Sequence, residues 1–441
     1  MKTLSILLLL IFLTIIETRA QTAQDFARIW EKDHISKMPP SQVRHRDLQN
    51  YLNQLKTLGL KVEEVGRSYQ NREIYEVEWG HGATKVFMWS QMHGDEPTAT
   101  SAVIDLLAFL QTNENIAWVK DLENKITLRV VPMLNPDGEE NYTRRNAQGI
   151  DINRDAMNLA TPEGRLLKKL RDEWQPEIGF NLHNQNELTT VDHTKKQATI
   201  SLLAVSGSPT KESNAGHQRN RRLCSLMIAA LDEFIPGHIA RYDDDYNPRA
   251  FGDRISEWGT PVILIETGAL DGKDEMFLTK MNFIAFLVAL RALATGSEAQ
   301  ASPEIYDKLP FNATGDLFDF IFRRANIINY QLSKEPFIAD VSVNTARRRA
   351  GEPTPTSVQD IGDLSIYAGL DEYNASDFYL APRGKENLRV GASGDFLLYK
   401  KTRKIDWTAQ DLEKTFPPDA IFSQGKWTKG AGIMPKINQE K

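Results

Sequence analysis

Apolar residues in this chain gather into short, nearly continuous runs: KVFMWSQ, ITLRVVPML, PEIGFNLH, ATISLLAVS and TPVILIETG. Such runs are rich in β-branched residues and lack polar alternation, which predicts strands buried on both faces. Between them PTATSAVIDLLAFLQ, PEGRLLKKLRDEW, NRRLCSLMIAALDEF and NFIAFLVALRALA carry apolar residues at helical spacing. Strands alternating with helices predict an α/β fold, with a mixed, mostly parallel sheet flanked by helices. Ahead of these runs, residues 21–55 are polar and helical in pieces, as in HRDLQNYLNQLKTLGL. The stretch VEEVGRSYQNREIYEVEWG then reads as two strands joined by a turn at Asn71.

The pattern changes after Ala294. TGSEAQASPE is small and polar, as a linker is. Beyond it DLFDFIFRRANIINYQ, FIADVSV, GDLSIYAG and ENLRVGASGDFLLYKK are strand-like, with little helix before DWTAQDLEKTF. The expected division is an α/β domain over residues 21–297, then a linker and a smaller β-rich domain over residues 298–441.

The first residues form a separate unit. Lys2 precedes an apolar run from Ser5 to Ile16, and Thr18-Arg19-Ala20 precede Gln21. The run is shorter than the ~20 residues of a membrane span and reads as a signal peptide, residues 1–20, cleaved after Ala20. No later run of about 18 apolar residues stands out, so no transmembrane segment is expected in the mature chain. The single cysteine, Cys224, lies in a helical apolar pattern and reads as a buried, inert thiol. Export without an internal disulfide suits secretion or a bacterial periplasm. The net charge of −6 over 441 residues offers no basic surface for nucleic acid.

The candidate chemistry sits at strand ends. QMHGDEP places His93 and Glu96 just after KVFMWSQ, with Pro97 opening a helix. NLHN places His183 after PEIGF, before a polar Asn-Gln-Asn. Two imidazoles and a carboxylate suit zinc, and three protein ligands leave a position open for catalysis. In TPVILIETGAL, Glu266 ends a buried strand, where an unpaired carboxylate is costly unless it works. Beside zinc it could take a proton from the metal-bound water and pass it on. NPDG ends ITLRVVPML and is accounted for as a turn. Arg144, Arg145 and Arg154 follow in NYTRRNAQGIDINRD, and guanidinium forks suit carboxylates. Four strands therefore end in chemistry, and in a parallel sheet those ends share one edge.

HGDE, NPDG, RRNAQGIDINR, NLH and IETG, in that order, resemble the zinc metallocarboxypeptidases of the carboxypeptidase A type. The resemblance covers roughly residues 40–295 and leaves the C-terminal region outside. It implies one zinc ion in the first domain, held by His93, Glu96 and His183, with Asp151 orienting the first histidine. It implies Asn153 and Arg154 as the grip on a terminal carboxylate, Arg144 as the oxyanion-stabilising arginine and Glu266 as the general base. The family's mobile tyrosine falls in RYDDDYNPRAFGDR, where Tyr246 is preferred over Tyr242. The activity implied is hydrolysis of the C-terminal bond of peptides or of peptidoglycan stem peptides. The alternative is a zinc deacylase of N-acyl amino acids, of the aspartoacylase or desuccinylase type, against which NPDG and NAQG argue. For side-chain preference, Phe251 falls near the pocket floor, Arg249 and Arg254 lie close, and the run Asp243-Asp244-Asp245 reads as a solvated loop.

Overall fold

The computed structural model describes residues 22–329, 332, 335–384 and 386–437; the expected signal peptide lies outside the described residues. Two helices come first, α1 (Ala23–Asp33) and α2 (His45–Thr57). β1 (Lys61–Arg67) and β2 (Glu73–Trp79) pair antiparallel, with Asn71 at φ 66° in the connection, a conformation that asparagine tolerates. β3 (Thr84–Ser90) and β4 (Ile126–Val131) are separated by α3 (Thr98–Thr112) and α4 (Ala117–Lys125). After α5 (Pro136–Glu140) and α6 (Pro162–Trp174) come β5 (Ile178–Asn184), the short β6 (Thr190–Val191) and β7 (Ile200–Ala204). The domain continues through α7 (Ala215–Leu231), β8 (Ile239–Arg241), α8 (Phe251–Glu257), β9 (Val262–Thr267) and α9 (Glu275–Thr295).

The first sheet runs β1-β2-β4-β3-β5-β9-β7-β8. Its centre, β4-β3-β5-β9, is parallel throughout. The β1–β2, β2–β4 and β9–β7 pairings are antiparallel, so the sheet is mixed. Both faces are covered. Along β3, Val86 and Met88 enter one core while Phe87 and Trp89 enter the other, and along β9 Ile263 and Ile265 oppose Val262 and Leu264. The first core takes its other wall from α1, α2, α3, α7 and α9, the second from α6 and α8. Burial on both faces is why these strands read as unbroken apolar runs. Gly179 on β5 leaves room for Trp89, since a Cβ there would stand 3.0 Å from the indole.

α9 is long and apolar enough to cross a membrane by length and composition, which sequence reading did not anticipate. Two thirds of its apolar window (67%) is buried, against α3, α7 and α1, and helices buried on all sides are apolar on all sides. Cys224 is fully buried on α7, and burial pushes its thiol well above the ordinary range.

The segment expected to be a linker is packed against the first domain. Tyr306 is buried, its hydroxyl accepts from the amide of Ala204 at 3.1 Å, and Arg221 pairs with Asp307. β10 (Asn312–Ala313) then pairs with β6. The small, polar stretch before it hid this anchoring tyrosine. The second domain begins at β11 (Leu317–Ile327) and continues with β12 (Phe337–Thr345), β13 (Thr356–Gly362), β14 (Ala368–Asn374), β15 (Phe378–Pro382), β16 (Phe396–Lys400), β17 (Ala420–Ser423) and β18 (Lys426–Lys429). They form one sheet, β13-β12-β11-β15-β16-β17-β18, with β14 beside β11. An aromatic cluster of Phe322, Phe396, Phe422 and Trp427 fills its core. Within GDLSIYAG the first residue ends β13 and the last two begin β14, because the chain turns at Ser365 and Ile366 between them.

Candidate active site

The residues singled out at strand ends meet at the carboxyl edge of the parallel block. The turn after β3 carries His93, whose backbone oxygen accepts from the amide of Glu96 at 3.2 Å. This turn lies backbone to backbone against α5. A Cβ on Gly94 would stand 2.0 Å from the carbonyl carbon of Gly138, so NPDG and HGDE each require their glycine. Asp137 of NPDG is buried and faces the other way, accepting from Ser68, Gln70 and Arg72, which makes it a structural tie.

β5 delivers His183 and β9 delivers Glu266, and the two are register partners on adjacent strands. His93 Nδ1 lies 2.8 Å from Glu96 Oε1, His183 Nδ1 lies 2.7 Å from Glu96 Oε2, and the two Nδ1 atoms are 3.1 Å apart. One ligand atom from each of His93, Glu96 and His183 falls within 4.8 Å of the others, and all three residues are buried. His93 Nε2 sits 3.0 Å from Asp151 Oδ1. A carboxylate can only accept, so the proton resides on Nε2 and the Nδ1 lone pair points into the cluster. Burial disfavours charge on His93, yet the Glu96 and Asp151 carboxylates raise its pKa to about 9. Both acids are held below their usual range despite burial, Glu96 by the two histidines and Asp151 by His93 and Arg144. The cluster therefore favours a cation, and its nitrogen and oxygen donors fit zinc. Burial, then Glu96, pushes Glu266 up to about 8.

Arg144 lies over the cluster, with Nε 3.0 Å from Asp151 Oδ2 and Nη1 3.1 Å from Glu96 Oε1. Asn153 and Arg154 border a cavity of about 410 Å³ that also includes Glu266, Tyr242, Asp244, Asp253 and Asn312. Asn153 Oδ1 accepts from the amide of Phe251 at 2.8 Å, so its NH2 is the end left to face the cavity. Arg145 lies outside, bonded through Nη1 to the Gly149 oxygen.

Tyr246 is not at the cavity, because its hydroxyl donates to Glu257 at 2.8 Å on the outer side of α8; Tyr242 lines the cavity instead. Phe251 belongs to the core beneath, while Arg254 pairs with Glu257 and Arg249 leans on the Arg154 oxygen. The run Asp243-Asp244-Asp245 borders the cavity and is joined there by Asp253. Burial, and after it Asp244, pushes Asp253 up to about 7. Asp253 lies in α8 next to Arg254, and no local pattern marks it as facing the cavity.

Residues 48–212 match the family model described as zinc carboxypeptidase. Zinc is the family's metal, and His93, Glu96 and His183 form the group able to hold it. Carboxypeptidase 2 of Trichophyton rubrum is 34% identical over 101 residues, covering 22% of this chain and 18% of that protein; Carboxypeptidase 2 of Trichophyton equinum is similar to the same extent. The chain thus matches less than a fifth of the length of these relatives. Among solved structures, a metallo-carboxypeptidase of Burkholderia cenocepacia is 18% identical, covering 58% of this chain and 69% of its own, with a TM-score of 0.47. The carboxypeptidase A of Helicoverpa armigera is also 18% identical, covering 62% and 80%, with a TM-score of 0.45.

Proposed function

We propose that this chain is an exported zinc metallocarboxypeptidase that removes the C-terminal residue of peptides. One observation carries the reading: the His93–Glu96–His183 cluster opens beside a cavity bordered by both Glu266 and the Asn153–Arg154 pair. Zinc, when bound, supplies a Lewis acid that polarises the scissile carbonyl and acidifies water. Asn153 and Arg154 grip the substrate's terminal carboxylate, which puts the last peptide bond beside the cluster. Arg144 faces the carbonyl oxygen and takes up its charge as it becomes an oxyanion. Glu266 accepts the proton of the attacking water and gives it to the leaving amine. Asp151 holds His93 in the tautomer the site requires.

The same cavity supports a side-chain preference. Asp244 and Asp253 border it together with the carboxylate grip, so a basic C-terminal side chain fits better than an acidic one. Peptidoglycan stem peptides remain within this reading because they carry diamino-acid residues. Export rests on the pattern of residues 1–20 alone.

The test is mass-spectrometric product analysis of the zinc-loaded protein on a mixed peptide and muropeptide library, with E266Q as control. Release of single C-terminal residues, lost in E266Q, is the expected result. Hydrolysis of N-acyl amino acids without peptide cleavage would replace the reading with a deacylase. No release with zinc bound would overturn it.

A further inference from the structure

The wall of the cavity beside the ligand cluster includes residues beyond α9. Asn312, Ala313 and Thr314, on the segment that leads to the second sheet, border it together with Asn153, Arg154 and Glu266. That segment is pinned on both sides of Asn312. The amide of Arg241 donates to the Pro310 oxygen at 2.7 Å, and the amide of Asp192 donates to the Phe311 oxygen at 2.7 Å. The Arg241 guanidinium lies 4.2 Å over the Phe311 ring. Asn312 and Ala313 then pair with Val191 and Thr190 of β6, and His193 Nδ1 lies 2.8 Å from Asp316 Oδ2. A backbone fixed at this many points holds the Asn312 side chain in a set place at the cavity wall.

The polarity of the Asn312 amide is set by its neighbours. Gln185 stands two residues beyond His183, and its backbone amide donates at 2.9 Å to the oxygen of Thr267, the residue after Glu266. The Gln185 side chain donates through Nε2 to the Ala198 oxygen at 2.7 Å. A carbonyl only accepts, so the NH2 of Gln185 faces Ala198 and its Oε1 faces Asn312. That oxygen accepts from Asn312 Nδ2 at 3.2 Å. The NH2 of Asn312 is therefore turned to Gln185. Oδ1 is left as the free end of the amide and accepts from none of the described residues. Asn181 on β5 borders the same cavity, is 2% exposed, and its Oδ1 has no hydrogen-bond partner among the described residues. A buried amide oxygen left unpaired is costly, which marks the cavity as one that receives a polar group.

We propose that Asn312 is a specificity-determining residue, supplied by the segment between the two sheets, whose Oδ1 accepts a hydrogen bond from the amine of a basic C-terminal side chain. The proposal rests on the carboxypeptidase reading. It makes Gln185 a positioning residue, which holds Asn312 with its oxygen free. It also makes the connection between the domains part of the substrate pocket. A neutral amide does not titrate, so this acceptor serves the substrate equally at every pH.

The experiment uses the full chain with zinc and two peptides that differ only in ending with lysine or with norleucine, which has the same carbon chain without the amine. Wild-type protein should favour lysine. N312A should lower the lysine-to-norleucine ratio of kcat/KM about tenfold, mainly through KM, and by the same factor at pH 6 and pH 8. Q185M removes the amide that orients Asn312 and should lower the same ratio in part. Both peptides meet the same protein, so a general loss of folded enzyme cancels from the ratio. In an E266Q background, which binds without turnover, calorimetry should show the same shift in relative affinity on adding N312A. A ratio unchanged by N312A, or no preference for lysine in the wild-type protein, would overturn the proposal. If wild-type protein cleaves neither peptide, the carboxypeptidase reading fails, while calorimetry on E266Q with and without N312A still decides the role of Asn312. Binding of neither peptide would overturn both.

Discussion

The two large sheets of this chain have the same number of strands, yet they contribute to the site in different ways. In the first, the parallel run β4-β3-β5-β9 brings successive strand ends to one edge, and that edge holds His93, Glu96, His183 and Glu266. In the second, pairing is antiparallel on most neighbours, its ends are joined by turns, and the loop between β12 and β13 is fixed to α5. A parallel sheet concentrates functional groups through its topology. An antiparallel sheet supplies reach, and needs a clamp such as Arg349 on Glu139 to make that reach rigid.

The comparison is broken most severely by removing the working group of the first sheet. E266Q should lower kcat roughly 10²–10⁴-fold with zinc content unchanged by elemental analysis. Loss of zinc together with activity would instead mean that Glu266 serves the metal. Arg144→Ala should cost about 10²–10³ in kcat with little change in KM, as expected for a group that meets charge only in the transition state. A change confined to KM would reassign it to ground-state binding.

The clamp of the second sheet is the next target. Arg349→Met leaves the Glu139 carboxylate buried without its cation, which should destabilise the fold by about 3–5 kcal/mol in denaturant unfolding. R349M combined with E139Q should recover most of that loss. Equal stability of wild type and R349M would show that the loop is not held there.

The smallest effect is a pH dependence in the cavity. Burial, and then Asp244, raise Asp253 from its ordinary 3.8 to about 7. A carboxyl raised on folding contributes stability that is fully present below about pH 4 and is lost as pH rises toward 7. The D253N variant should flatten that part of the stability curve. The same titration should strengthen selection of C-terminal lysine over leucine as pH rises from 6 to 8, and D253N should remove the trend. A preference independent of pH would take Asp253 out of the specificity pocket.

Much of the first domain was legible because strands buried on both faces cannot alternate, so their runs and ends stand out in the sequence. The placement of His93, Glu96, His183 and Glu266 followed from those ends. That Tyr242 and not Tyr246 lines the cavity was not legible, because both lie on one irregular stretch and only tertiary packing turns Tyr242 inward. The anchored segment around Tyr306 passed for a linker because one buried tyrosine does not mark a small, polar run. The clamp of Arg349 on Glu139 was out of reach of sequence reasoning. It lies more than eighty residues beyond Glu266, on a sheet whose docking no local pattern encodes. The run of three arginines in NTARRRAGEP was the one signal there, and arginine runs usually face solvent.

The central claim is that the site reads a free terminal carboxylate beside a catalytic metal. Its most direct test is zinc-loaded wild-type protein on one peptide prepared as the free acid and as the C-terminal amide, with products followed by mass spectrometry. Stepwise release of single residues from the acid, with the amide left intact, is the predicted result. Equal cleavage of both forms, or no cleavage of the acid with zinc bound, would contradict the account.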